Sequence, residues 1–153
     1  MANTYVQLYV QIIFAVSGRQ NLIIEPFREE LQRYMAGIIQ QKEQKLFSIY
    51  CNPDHTHVFL SMKPDKSVSA IANDIKSNAS SFIKGNFGLK NFSWQSGYGA
   101  FSYYKSQAPT IADYVSNQFE HHKKFTFREE YLGLLDEFGI QYDPRYLFTF
   151  ETM

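Results

Sequence analysis

Residues 5–16 alternate with period two: Val6, Leu8, Val10, Ile12, Phe14 and Val16 fall on one face, Tyr5, Gln7, Tyr9 and Gln11 on the other. That is the pattern of a long strand with one buried face. An apolar strand face of this length has to be covered by helices and paired by other strands, so the rest of the chain must supply both.

It does so in a readable order. Pro26 opens a helix over residues 26–41, with Phe27, Leu31, Tyr34, Met35, Ile38 and Ile39 at helical spacing. Residues 45–51 return to strand-forming types, Asn52-Pro53-Asp54 reads as a turn, and residues 55–62 as the second strand of a hairpin. Ser67 caps a helix whose buried stripe is Val68, Ile71, Ile75, Ala79, Phe82 and Ile83, ending at Gly85. Two aromatic stretches, 92–95 and 98–104, read as short strands or as a strand and a loop. A helix follows over about 109–122, with Ile111, Val115 and Phe119 in one row. Thr126 and Glu129 form a capping box for a last helix that runs to Phe138 and stops at Gly139. The tail, 140–153, is aromatic enough to pack on something. The order β-α-β-β-α-β, then helices, predicts one α+β domain over 1–153. It is a ferredoxin-like antiparallel sheet with helices packed on one face, followed by C-terminal helices.

Composition narrows the class. Hydrophobic residues make up 44% of the 153, with 14 Phe and 11 Tyr, which excludes general disorder. Fifteen Lys and Arg balance fifteen Asp and Glu, but unevenly: residues 61–124 carry eight basic and four acidic groups, whereas 125–153 carry two and six. The single cysteine, Cys51, forbids an intrachain disulfide and thiolate-rich zinc sites, and it reads as a small buried residue. No run reaches the length of a membrane span, and no basic region precedes the apolar start as in a secretory signal. A cytoplasmic protein without membrane contact is expected.

Two constellations carry chemistry. His55 and His57 stand at i, i+2 on a strand, so both imidazoles share one face while Thr56, Val58, Leu60 and Met62 take the other. The face with His55, His57, Phe59 and Ser61 is then free for a site. As a bare pattern, two hydrogen-bonded surface histidines describe it more readily than a metal pair. Tyr114 and Gln118 stand at i, i+4 on the predicted 109–122 helix, neighbours on one surface, which alone describes an ordinary solvated stripe.

Taken together the segments resemble a family. Pro53-Asp54-His55-Thr56-His57-Val58-Phe59, the run from Trp94 to Ser102, and Tyr114-Val115-Ser116-Asn117-Gln118 are similar, in order and over nearly the whole chain, to the single-tyrosine HUH transposases. These are of the insertion-sequence-two-hundred type and include the REP-associated tyrosine transposases. One position departs: Thr56 stands where the family has a bulky hydrophobe, and its β-branch still suits a strand. The resemblance implies His55, His57 and Gln118 as ligands of a divalent ion, Mg²⁺ or Mn²⁺, and Tyr114 as a nucleophile that cleaves and rejoins single-stranded DNA through a 5′-phosphotyrosine. It also implies hairpin-containing DNA ends as partners. It implies homodimers in which the tyrosine helix of one subunit docks on the histidine pair of the other. The lysines of the basic middle, interleaved with aromatics, match a single-strand groove; Lys84, Lys90, Lys105, Lys123, Lys124, Trp94 and Tyr98 are the expected DNA contacts. His121 and His122, beside Lys123 and Lys124, read as a solvated helix end. The alternative reading is a domesticated or inactive hairpin-DNA-binding module of the same fold.

Overall fold

The computed structural model describes residues 4–19 and 21–150. Its centre is a four-stranded antiparallel sheet of β1 (Tyr9–Ala15), β2 (Lys45–Cys51), β3 (His55–Ser61) and β4 (Gly99–Tyr103), in the order β2-β3-β1-β4. The expected ferredoxin-like arrangement is therefore present. Helices α1 (Phe27–Gln41) and α2 (Val68–Asn86) cover one face. Their stripes, Leu31, Met35, Ile39, Ile71, Ile75 and Ile83, pack against Val10, Ile12, Phe14, Val58 and Leu60. Ser67 caps α2 as expected, its hydroxyl accepting from the Ala70 amide at 3.0 Å.

The second face is not free, contrary to the strand pattern. Helices α3 (Ala108–Ser116), α4 (Gln118–His121) and α5 (Phe127–Glu137) follow β4. Phe127, Tyr131, Leu134 and Leu135 of α5 close over Ile13 and Ala15 of β1 and Phe101 of β4, and Phe148 of the tail joins them. The strand β1 is thus buried on both sides from Val10 onward, as a central strand must be when helices lie above and below it. The aromatic tail does pack; residues 151–153 of the expected C-terminal region lie outside the described residues.

Three boundaries differ from the sequence reading. The strand read over 5–16 spans only Tyr9–Ala15, because Tyr9 already faces Ser61 and Tyr103, the last residues of both partner strands. Residues 92–95 form no strand and keep only a bridge between Val16 and Trp94. The helix read over 109–122 breaks at Asn117 into α3 and α4. There the Gln118 side chain donates back to the Tyr114 carbonyl (3.4 Å), an insertion into the helical ladder of the kind that kinks helices.

Candidate metal and tyrosine site

The register of the sheet sets the site. His57 faces Ile13 and His55 faces Ala15 across β1, so both imidazoles rise into the layer that α3–α5 cover, and both are fully buried. Each has its Nδ1 pinned to an oxygen. His55 Nδ1 lies 2.6 Å from Asp54 Oδ1, and His57 Nδ1 lies 2.7 Å from Gln11 Oε1, whose amide nitrogen in turn donates to the Tyr103 hydroxyl (2.8 Å). An amide or carboxylate oxygen can only accept, so each ring donates from Nδ1 and turns its Nε2 inward, that of His55 lying 3.1 Å from Asn52 Nδ2. Phe127 stacks on the His55 ring at 3.7 Å.

Helix α3 lies over β2 and β3 of its own chain. Ser48 of β2 anchors it, its hydroxyl donating to the Ala112 carbonyl (3.0 Å) and lying 2.8 Å from the Ser116 hydroxyl, while Val115 is buried beneath. This brings the Tyr114 ring to 5.9 Å from that of His57. One chain therefore assembles tyrosine and histidines together. Only the short Lys105–Gln107 turn separates β4 from α3, and it leads back over the chain's own sheet.

Gln118 is brought in as well. It is fully buried; its Oε1 accepts from Asn52 Nδ2 (3.2 Å) and lies 2.9 Å from His122 Nε2. The residue that sequence reasoning missed is Glu130 of α5. Its Oε1 lies 3.1 Å from His57 Nε2, 3.2 Å from His122 Nε2 and 3.4 Å from His55 Nε2, and its Oε2 accepts from Gln118 Nε2 (3.0 Å) and from the Tyr114 hydroxyl. A signal was there: Glu130 sits in the apolar row of Phe127, Tyr131 and Leu134, where an acid has no reason to be unless the buried face needs one. His122, read as solvated, is half-buried: its Nδ1 faces the Phe125 carbonyl at 2.9 Å and its Nε2 points inward.

The electrostatics follow from burial. Burial alone would push the Glu130 carboxyl up, but His57 and the hydrogen bonds from His122, His55 and His57 outweigh it and hold the group well below the usual carboxylate range. Burial raises the Tyr114 phenol far above its ordinary value, and the Glu130 charge adds to that. Burial lowers His57, whereas at His55 the same effect is overcome by Asp54 and Glu130, leaving it raised. The potential ligand atoms of His55, His57, His122 and Glu130 all lie within 4.8 Å of one another, and imidazole nitrogens beside a carboxylate oxygen are a donor set that fits a divalent cation.

The expected DNA contacts divide. Lys84, Lys90, Lys105, Lys123 and Lys124 are exposed. Trp94 is half-buried: it packs edgewise against Phe14 (4.8 Å) and Phe92 (4.9 Å), and its indole N–H donates to the Lys76 carbonyl. Tyr98 is likewise packed against the α1–α2 core. Both follow from the Gly-rich segment folding onto the sheet, where Lys76 donates to the Gln95 and Gly97 carbonyls at 2.9 Å. Cys51 is buried as expected and lies 3.9 Å from the Met35 sulfur.

A ferredoxin-like sheet presenting a His-x-His strand to a helix-borne tyrosine defines a class of protein, that of the tyrosine transposases. The chain belongs to the IS200-like transposase family, whose profile, described as "Transposase IS200 like", matches residues 4–118. It is 26% identical over 129 residues to the transposase for insertion sequence element IS200 of Salmonella typhimurium, covering 80% of this chain and 84% of that one, and equally to that of Salmonella typhi. Among solved structures it is similar to a transposase candidate from Deinococcus radiodurans (TM-score 0.63, 18% identity, 77% of this chain and 95% of that one). It is also similar to a REP-associated tyrosine transposase bound to a REP hairpin (TM-score 0.59, 16% identity, 80% and 73%). Among the described residues, no helix is long and apolar enough to cross a membrane.

Proposed function

We propose that this protein is a metal-dependent transposase that cleaves and rejoins single-stranded DNA, with Tyr114 as nucleophile and His55, His57 and Gln118 at the divalent ion. The observation that carries the reading is the Tyr114 ring 5.9 Å from His57 within one chain, beside a buried cluster of inward-facing imidazole nitrogens. Such an ion, when bound, supplies positive charge that neutralises the scissile phosphate and acidifies nearby groups.

The chain's own residues do the rest. Glu130 accepts the Tyr114 hydrogen bond and so orients the phenol oxygen. Glu130 Oε2, the acceptor of that bond, is the group placed to take the phenol proton, which burial otherwise holds on the oxygen. Attack of the phenol oxygen on phosphorus forms the 5′-phosphotyrosine, and the bond to the 3′ oxygen breaks, that oxygen leaving as a hydroxyl after taking a proton. Attack by a 3′-hydroxyl reverses the step with no external energy source. Exposed Lys105, Lys123 and Lys124 flank α3 and α4 as counter-charges for a DNA backbone. Hairpin-containing DNA ends, a homodimer and a cytoplasmic location belong to the same reading.

The test is incubation with single-stranded hairpin oligonucleotides and Mn²⁺, followed by denaturing electrophoresis. A covalent protein–DNA adduct that disappears in Tyr114→Phe supports the reading. No adduct from the wild-type chain, with hairpin binding intact, would instead favour a DNA-binding module that has lost cleavage.

A further inference from the structure

A cavity of about 580 Å³ opens between α3 and α5, and Tyr114 and Glu130 stand in its wall. We infer that it takes one nucleobase of the strand under attack, the base beside the scissile phosphate, and selects a base with an exocyclic amino group over thymine. This rests on Tyr114 as the nucleophile proposed above and names the feature of the DNA that is read beside it.

Three observations lead there. The first is placement. The Tyr114 hydroxyl donates to Glu130 Oε2 and both side chains line the cavity, so the attacking oxygen lies at its edge. A phosphorus in line for attack sits about 3–3.5 Å from that oxygen, which puts the base of the adjoining nucleotide within reach of the space behind it. The volume falls in the ordinary range of about 300–1,000 Å³ for small-molecule sites.

The second is charge. Glu129, Glu130 and Glu137 line the cavity, and no lysine or arginine does. Such a wall repels phosphate, so a base suits it and the sugar-phosphate backbone does not. A second cavity, of about 350 Å³, shares Tyr114, His121 and Phe125 with the first. Lys124 lines that one, and its Glu120 is paired with Lys123 at 3.1 Å. The backbone therefore keeps to the lysine side of Tyr114 while the uncharged base turns to the acidic side.

The third is the chemistry of the lining. Ile111 and Leu134 supply apolar walls, and Phe125, 47% exposed, offers a ring on which a base can stack. Thr110 and Glu137 are exposed and make no hydrogen bond or ion pair among the described residues. Gln107 Oε1 accepts from the Tyr104 amide at 2.8 Å, which leaves its Nε2 to donate. A carboxylate only accepts, so Glu137 matches the amino group of cytosine, adenine or guanine. Thymine sets a carbonyl where cytosine sets its amino group.

The experiment is fluorescence-anisotropy titration of the full chain, in EDTA, with labelled oligodeoxycytidylate and oligothymidylate of about ten residues, within the span of a single-strand groove. Wild type, Glu137→Gln and Gly133→Leu are compared, with near-ultraviolet circular dichroism as the check on folding. Gly133 lines the cavity and a Cβ there meets nothing within 4 Å, so leucine fills the space, and it suits a helix better than glycine. Expected is a preference of wild type for the cytosine strand of about fivefold or more, falling below about twofold in each variant. The salt dependence stays as in wild type, because the phosphate contacts are untouched. Equal affinity or a thymine preference in wild type, or a cytosine preference that survives in either folded variant, overturns the inference. Should Gly133→Leu not fold, Glu137→Gln, at an exposed position, decides alone. EDTA separates this result from cleavage, and adduct formation with Mn²⁺ is scored on its own. An adduct without base preference defeats this inference and leaves strand transfer standing; a base preference without any adduct keeps the base site and removes the cleavage.

Discussion

The Tyr114 hydroxyl on α3 donates to Oε2 of Glu130 on α5, residues sixteen positions apart on separate helices. Through it the candidate nucleophile and the only carboxylate among the cluster's ligand atoms share one hydrogen-bonded unit, so the position of α5 decides where the phenol points.

Tyr114→Phe keeps the ring and deletes only this bond. We expect loss of the covalent DNA adduct with a native circular dichroism spectrum, and a stability change of about 1.5–3 kcal/mol, the usual scale for one hydrogen bond to a charged group. Denaturant titration beside the adduct assay checks both; unfolding of the variant would show that Tyr114 is structural first.

Asp54→Ala removes the oxygen that fixes the His55 ring. The loss of an outer hydrogen-bond partner of a metal-binding imidazole costs about 10–100-fold in ion affinity. Calorimetry with Mn²⁺ should find that drop; affinity equal to wild type would mean that Nδ1 orientation is set by the Phe127 stack instead.

Alkaline stability should carry the signature of Cys51. Burial pushes its thiol up to about 12 from an ordinary value of 9.0. The folded chain therefore binds the proton longer than the unfolded one: the contribution is fully present below about pH 9 and is lost as pH rises from there towards 12. Denaturant midpoints should fall across that window, and less steeply in Cys51→Ala. Below it, thiol reagents should label the native chain only as fast as it opens.

Two glycines should respond with opposite sign. A Cβ on Gly99 would stand 2.6 Å from the Tyr131 hydroxyl oxygen and 2.7 Å from its ring, so Gly99→Ala pushes α5 off β4 and should cost about 1–3 kcal/mol. Gly37, inside α1 with nothing within 4 Å, should gain up to about 1 kcal/mol as Ala. Thermal midpoints of the two variants, moving in opposite directions from wild type, are the measure; a Gly99→Ala midpoint at or above wild type would show that α5 is not held against β4 as described.

Much was legible without coordinates. Period-two alternation in β1, the helical stripes of α1 and α2, the Ser67 cap and the Thr126–Glu129 capping box are local patterns, each written within a few residues of itself. The same holds for the His55/His57 pair and for Tyr114 with Gln118: strand and helix periodicity fixes which side chains share a face.

What the tertiary structure alone decided is which faces meet. Trp94 looked available and is packed, His122 looked solvated and turns inward, and Glu130 looked like one more acid on a capped helix yet sits at the centre of the imidazoles. The alternation read from 5–16 gave a strand with one wet face, because periodicity reports the local chain and not what lies over it. The closing of α5 over β1, more than a hundred positions away in the chain, and over β4 made that face interior and put a carboxylate beside the histidines. Burial, and the charges burial must compensate, belong to such long-range contacts.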